Sequence, residues 1–157
     1  MNKNQKTKEK TCVFYASDYH FEMISLPYIN KKLEENKKII VLTENNLEET
    51  MKTLVSRMNL QDEKKKKILE IDWENNDLSK FKKIREEKEN ELILFIKGNE
   101  NYIKNINENI EKWIEGNNNI KIIDCYNMDE VSEKIDKVMS SYKMILNTTG
   151  EKELNKI

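Results

Sequence analysis

Short apolar runs alternate along the chain with longer stretches in which apolar residues recur every three or four positions. The runs are "TCVFYA" (11–16), "KIIVLT" (38–43), "ILEID" (68–72), "LILFIK" (92–97), "IKIIDCY" (120–126) and "KMILNT" (143–148). Several are nearly continuous in Val, Ile, Leu and Phe, as strands buried on both faces read. Between them Phe21, Ile24, Tyr28, Ile29 and Leu33 repeat at helical spacing, as do Leu47, Met51, Leu54, Val55 and Met58, then Leu78, Phe81 and Ile84. Ile103, Ile106, Ile110, Trp113 and Ile114 follow the same period, as do Val131, Ile135, Val138 and Tyr142. Start signals agree: Asn46 with Glu49 has an N-cap spacing, and Asp18, Asp77 and Asp129 each precede a periodic stretch. Gly116 and the asparagines after it mark a helix end.

Strand–helix alternation with short connections predicts a three-layer α/β domain. Its sheet would be mainly parallel, with five or six strands and helices on both faces, in a RecA/KaiC-like or flavodoxin-like arrangement. The domain is expected over 11–150. Residues 1–10, "MNKNQKTKEK", are too polar to offset the entropy of ordering and read as a disordered tail, and 151–157 as a C-terminal tail. The run "EKKKKI" (63–68) reads as a solvated helical turn ahead of the third strand.

Composition narrows the function classes. The 157 residues suffice for one domain with a sizeable core. Hydrophobic residues make up 37% and charged residues 36%, which concentrates apolar side chains in the runs and charge on the surface. The formal net charge of -1 supplies no global electrostatic footprint for nucleic acid or anionic membrane, so neither is an expected partner. Two cysteines and one histidine cannot supply a structural zinc set, and no metal or cofactor is expected. Cys12 and Cys125 fall within apolar runs and read as small buried residues. With no secretory leader or membrane-length apolar stretch, a cytoplasmic location is expected.

In open α/β sheets ligands sit beyond the carboxyl ends of the strands. That address holds Ser17, Asp18, Tyr19, His20 and Glu22 after strand one, Thr43, Glu44 and Asn45 after strand two, and Asp72, Trp73 and Glu74 after strand three. It continues with Gly98 and Asn99 after strand four and Tyr126 and Asn127 after strand five. The first junction, "ASDYHFEM", has no glycine and no lysine where a phosphate loop needs both, and it places Asp18 and Glu22 where phosphate would go. A dinucleotide fingerprint fails for the same reason. Asp18 and Asp72 echo a phospho-acceptor receiver, but "CYNMD" offers no lysine after strand five. His20 titrates nearest neutrality, although one His in a first helical turn reads more readily as a surface or capping residue. Trp73 and Tyr19 can stack on a planar ligand or pack at the core edge. Pro27 removes a backbone donor inside the first helix, where a kink is expected.

The stretch "TCVFYASDYHFEMISLPYINKKLEENKKIIVLTEN" resembles the opening of the methanogen/methylotroph DcmR sensory (MEDS) domain family. Its members begin with a short strand ending in Phe-Tyr, here Phe14 and Tyr15, then polar residues, here Asp18 to Glu22. A helix broken by Pro before an aromatic follows, here Pro27 with Tyr28, then a strand ending in an acid, here Glu44. "KILEIDWENND" is similar to the family's third strand and "IKIIDCYNMDEVSEKIDKVMSSYKMILN" to its closing strand, helix and last strand. Where the family has a glycine before strand two, this chain has Asn36. The resemblance implies a RecA/KaiC-related domain without a phosphate loop that senses a small organic molecule and signals through a protein partner.

Three function classes therefore stand at this point. The first is a non-catalytic sensor whose ligand enters near Asp18, His20, Glu44 and Trp73. The second is a protein-interaction module, a homodimer or partner-binding regulator, without a small ligand. A receiver-like phospho-acceptor domain is third.

Overall fold

The structure, a computed structural model, describes residues 10–87, 91–113 and 119–154. Of the expected tail over 1–10, residues 1–9 lie outside the described residues, as do Ile114 and the helix-end signal at Gly116, while Lys10 is not tail but the first residue of a strand.

Strand β1 (Lys10–Tyr15) leads into helix α1 (Asp18–Glu34), whose start is fixed by Ser17, the Oγ of which accepts the His20 N–H at 3.1 Å. Asp18 in its first turn and Lys31 and Lys32 in its last complement the helix dipole. The helix continues through Pro27 to its end. Asn36 follows with φ 65°, the left-handed conformation that glycine takes freely and asparagine tolerates better than other residues. Strand β2 (Lys38–Thr43) is followed by three helices, α2 (Glu48–Arg57), α3 (Asp62–Leu69) and α4 (Asp77–Glu86). Then come β3 (Leu92–Lys97), α5 (Glu100–Trp113) and β4 (Ile120–Asn127). The chain closes with α6 (Met128–Val131), a 3-10 turn (Ser132–Lys134), α7 (Ile135–Met139), β5 (Met144–Asn147) and β6 (Gly150–Glu153).

The six strands form one sheet in the order β2-β3-β4-β1-β5-β6, parallel except for β6, which runs antiparallel to β5. Strand β1 lies inside the sheet, with Val13 beside Cys125 of β4 and Cys12 beside Ile145 of β5. This order departs from the 2-1-3-4-5 of flavodoxin-like sheets, which removes that half of the expectation. The three-layer α/β class stands.

Two apolar layers sandwich the sheet. On one face α1, α2 and α3 bring Phe21, Ile24, Met51, Val55 and Ile68 against Val13, Val41, Phe95 and Cys125. On the other, α4, α5 and α6 bring Ile84, Ile103, Ile106, Ile110 and Val131 against Leu42, Leu94, Ile96 and Ile122. Every residue of β3 is buried, which is why "LILFIK" reads as unbroken hydrophobicity.

Two expectations are corrected. The run 68–72 is no strand: Ile68 and Leu69 close α3, and Glu70 to Asp72 turn away from it. Asp62 and Glu63 at its start and Lys66 and Lys67 at its end suit a helix dipole, and Ile68 is buried while Leu69 is 40% exposed. The place beside β2 that a third strand would take belongs to α4, whose buried Lys80 ammonium donates to the Val41 carbonyl at 2.6 Å on the outer side of that edge strand. Residues 151–153, expected as the start of a tail, belong to β6. A turn in which Asn147 Oδ1 accepts from Thr149 N–H and Oγ1 folds β6 back, with Gly150 at φ 110°.

Candidate functional site

The rim above the carboxyl ends of β1, β2 and β3 is occupied by the protein's own side chains. In the β1–α1 turn Ser17 caps the His20 amide, and His20 Nδ1 accepts the Ala16 N–H at 2.8 Å. Two of the amides that a phosphate loop would leave free for an anion, those of Ala16 and His20, thus have side-chain partners. His20 is a capping residue, as the plainer reading anticipated. Tyr19 is 62% exposed.

Beneath this turn Lys97, at the end of β3, is buried to 2% exposure. Its ammonium lies 3.0 Å from Asp18 Oδ1 and sits over the rings of Tyr15 (4.9 Å) and Phe21 (5.4 Å). Glu22 is buried on the same side, with Oε2 lacking a hydrogen-bond partner. Burial pushes its carboxyl up to about 7, the nearby Asp18 adds to the rise and Lys97 opposes it. Burial first, with Cys125 and Asp18 adding, also raises the Tyr15 hydroxyl.

Glu44 fastens β2 to the start of α5. Its carboxylate accepts the Asn99 N–H at 2.7 Å and the Asn99 side-chain amide at 3.3 Å, while Asn99 Oδ1 caps the Tyr102 N–H at 2.8 Å. Gly98 is required here, because a Cβ would meet the Tyr102 ring and would come within 2.8 Å of Glu44 Oε1. Tyr102 donates to Asp77, and burial first, then Asp77, raises its hydroxyl. Thr43 Oγ1 closes a local turn with Asn45. Asp72 caps the Glu74 amide at 3.0 Å from the α3–α4 loop and pairs with Lys80 at 3.9 Å, so the carboxylate a receiver needs at a strand end is absent from that position. Trp73 is a core residue that donates from Nε1 to the Ile68 carbonyl, not a stacking platform.

Tyr126, the remaining expected site residue, lies within β4 and belongs to a different place. Two residues earlier on that strand, Asp124 is fully buried. Its Oδ2 accepts the Tyr142 hydroxyl at 2.5 Å and its Oδ1 accepts the Asn107 amide at 3.0 Å. The Tyr126 and Tyr142 hydroxyls are 2.6 Å apart. With the Tyr142 proton committed to the carboxylate, Tyr126 must donate to Tyr142, so both phenols polarise toward Asp124. Lys10 Nζ stands 3.6 Å from Asp124 Oδ2 and 5.6 Å from the centroid of the Tyr142 ring. Burial raises the Asp124 carboxyl, with Lys10, Tyr142 and Asn107 pulling the other way. Tyr142 is raised chiefly by burial and then by Asp124.

These groups line a cleft of about 690 Å³ between α5 and α7. At its mouth Lys134 pairs with Glu100 at 2.8 Å. A second groove, of about 780 Å³, runs along the β2 edge past Lys80 and Asp72.

The fold therefore gathers Asp18 with Glu22, and Glu44 with Gly98, but leaves Tyr19 alone, puts Trp73 in the core and carries Tyr126 elsewhere. Sequence reasoning missed Lys97 and Asp124. Lys97 was visible as the single charge ending an apolar run and Asp124 as the acid inside another, and a charge in a strand buried on both faces needs a built partner. Asn107 and Tyr142 were hidden in helical periodicity, and Lys10 in the supposed tail. Compared with protein-family models, curated proteins and solved structures, the chain matches none. Among the described residues no helix is long and apolar enough to cross a membrane.

Proposed function

We propose that this chain is a non-catalytic sensory or regulatory domain that holds a small polar organic ligand and passes its state to a protein partner. The resemblance to the DcmR sensory family points the same way. The observation that carries the reading is the cleft over Asp124, whose volume falls in the range of small-molecule sites and whose floor is a buried carboxylate held by the Tyr142 phenol and the Asn107 amide. The seat moves from the strand ends, where capping side chains fill the rim, to the gap between α5 and α7. A nucleotide is disfavoured because the turn has neither glycine nor lysine, carries Asp18 and Glu22, and has its Ala16 and His20 amides taken by side chains.

Signalling follows from the cleft mouth. Glu100 at the start of α5 and Lys134 ahead of α7 close it with one exposed ion pair, which is worth little and is easily exchanged. A ligand that draws α5 and α7 together shifts the population of open and closed forms, and a partner reads the change on the outer helix surfaces.

The alternative is partner binding along β2. Its groove is wide, but Lys80 already occupies the outward Val41 carbonyl that a docking strand would use. The test is native mass spectrometry of protein purified from its own host, repeated on Val138→Trp, which fills the cleft. A small passenger lost in the variant is expected. A protein partner retained by both forms, with no passenger in either, would favour the β2 reading.

A further inference from the structure

We propose that the cleft recognises a small primary ammonium compound, whose charged head takes the place now held by the Lys10 side chain. This rests on the cleft being the ligand seat. The floor is an ammonium site in chemical terms: a buried carboxylate oxygen, an aromatic face beside it, and an ammonium in front of both.

Two features show that Lys10 fills this position incompletely. Its Nζ is 3.6 Å from Asp124 Oδ2, an ion pair longer than a hydrogen bond, on a side chain that remains 31% exposed. The buried Asn107 Oδ1 has no hydrogen-bond partner. Its orientation is forced, because the Asn107 NH2 faces two acceptors, the Ile103 carbonyl at 2.9 Å and Asp124 Oδ1 at 3.0 Å, and a flipped amide would set oxygen against oxygen. The wall thus keeps one acceptor in want of a donor, beside a carboxylate in want of a closer cation.

A free primary ammonium supplies both. One N–H serves Asp124, another serves Asn107, and the charge lies near the Tyr142 ring. A quaternary ammonium has no N–H for the two acceptors. A neutral alcohol can donate one hydrogen bond but leaves the carboxylate charge uncompensated. An anion meets a buried carboxylate and is repelled. Lys10, tethered at the start of β1, is an internal competitor that swings toward solvent when the ligand enters.

The test is calorimetric titration of the full chain and of Lys10→Ala with n-butylammonium, using butyltrimethylammonium and n-butanol as probes of charge without N–H and N–H-like donation without charge. We expect n-butylammonium to bind Lys10→Ala at least tenfold more tightly than the unaltered chain, and the other two to bind at least tenfold more weakly. Asn107→Leu, which removes the open acceptor, should cut the amine's affinity in the Lys10→Ala background severalfold while its melting curve stays cooperative. Equal binding of all three probes, or no amine binding to Lys10→Ala, overturns the ammonium assignment. A neutral or anionic passenger that Val138→Trp expels would overturn it too while leaving the cleft as a ligand seat; passengers indifferent to Val138→Trp would remove both.

Discussion

The strand-end rim and the Asp124 cleft pair a carboxylate with a lysine in opposite ways. At the rim, Lys97 is the buried member and its partner Asp18 keeps a side chain 56% exposed, so water shares the charge. In the cleft Asp124 is the buried member, held by Tyr142 and Asn107 and faced by the partly exposed Lys10. The rim spends its helix-capping groups on itself, through Ser17, His20, Glu44 and Asn99. The cleft keeps an unanswered acceptor at Asn107. The rim too holds a partnerless buried oxygen, Glu22 Oε2, but a carboxyl there can keep a proton, whereas the Asn107 amide oxygen cannot and has something left to offer a ligand.

The sharpest way to break this contrast is to remove each carboxylate in turn. Asp124→Ala strands Tyr142, Asn107 and Lys10 and should cost about 3–5 kcal/mol in urea unfolding. Asp18→Ala should cost about 1 kcal/mol, because solvent reaches its place. Equal losses would mean that the two sites are alike. At the rim, Gly98→Ala forces a Cβ against Glu44 and Tyr102 and should cost about 2 kcal/mol, loosening the β3–α5 junction; a neutral result would show that the rim is not packed as described.

The smallest effect is on pH dependence. Glu22, at about 7 in the fold against 4.5 for a free carboxyl, keeps a proton that the unfolded chain releases between those values. Its contribution is therefore present in full below pH 4.5 and lost as pH rises toward 7. Glu22→Gln should flatten that slope and raise the melting temperature at pH 8 by roughly a few degrees. A slope unchanged in the variant would assign the pH response to another group, Asp124 first.

The layering was legible because every residue of β3 is buried and its run is apolar up to Lys97, while β4 is buried except at Lys121 and Asn127. The failure at 68–72 has a physical cause: three apolar residues, Ile68, Leu69 and Ile71, carry no period long enough to separate the last turn of a helix from a strand. The site was less legible. Topology predicts where strands end, and that placed Asp18, Glu44 and Gly98 on one rim. It does not predict which end is sealed, since that depends on rotamers such as those of His20 and Asn99. The cleft depends on Lys10, Asn107, Asp124 and Tyr142 meeting from four elements, and no local pattern links them.

The interior position of β1 has a consequence for biosynthesis. Both strands that flank it come from the last third of the sequence, and Thr11 meets Glu151 across 140 residues. On the ribosome the first strand emerges long before either neighbour exists, so the sheet cannot close around it during translation. The nascent chain must carry an apolar segment unpaired until β4 and β5 have both emerged, which makes assembly slow and exposes it to aggregation in the meantime.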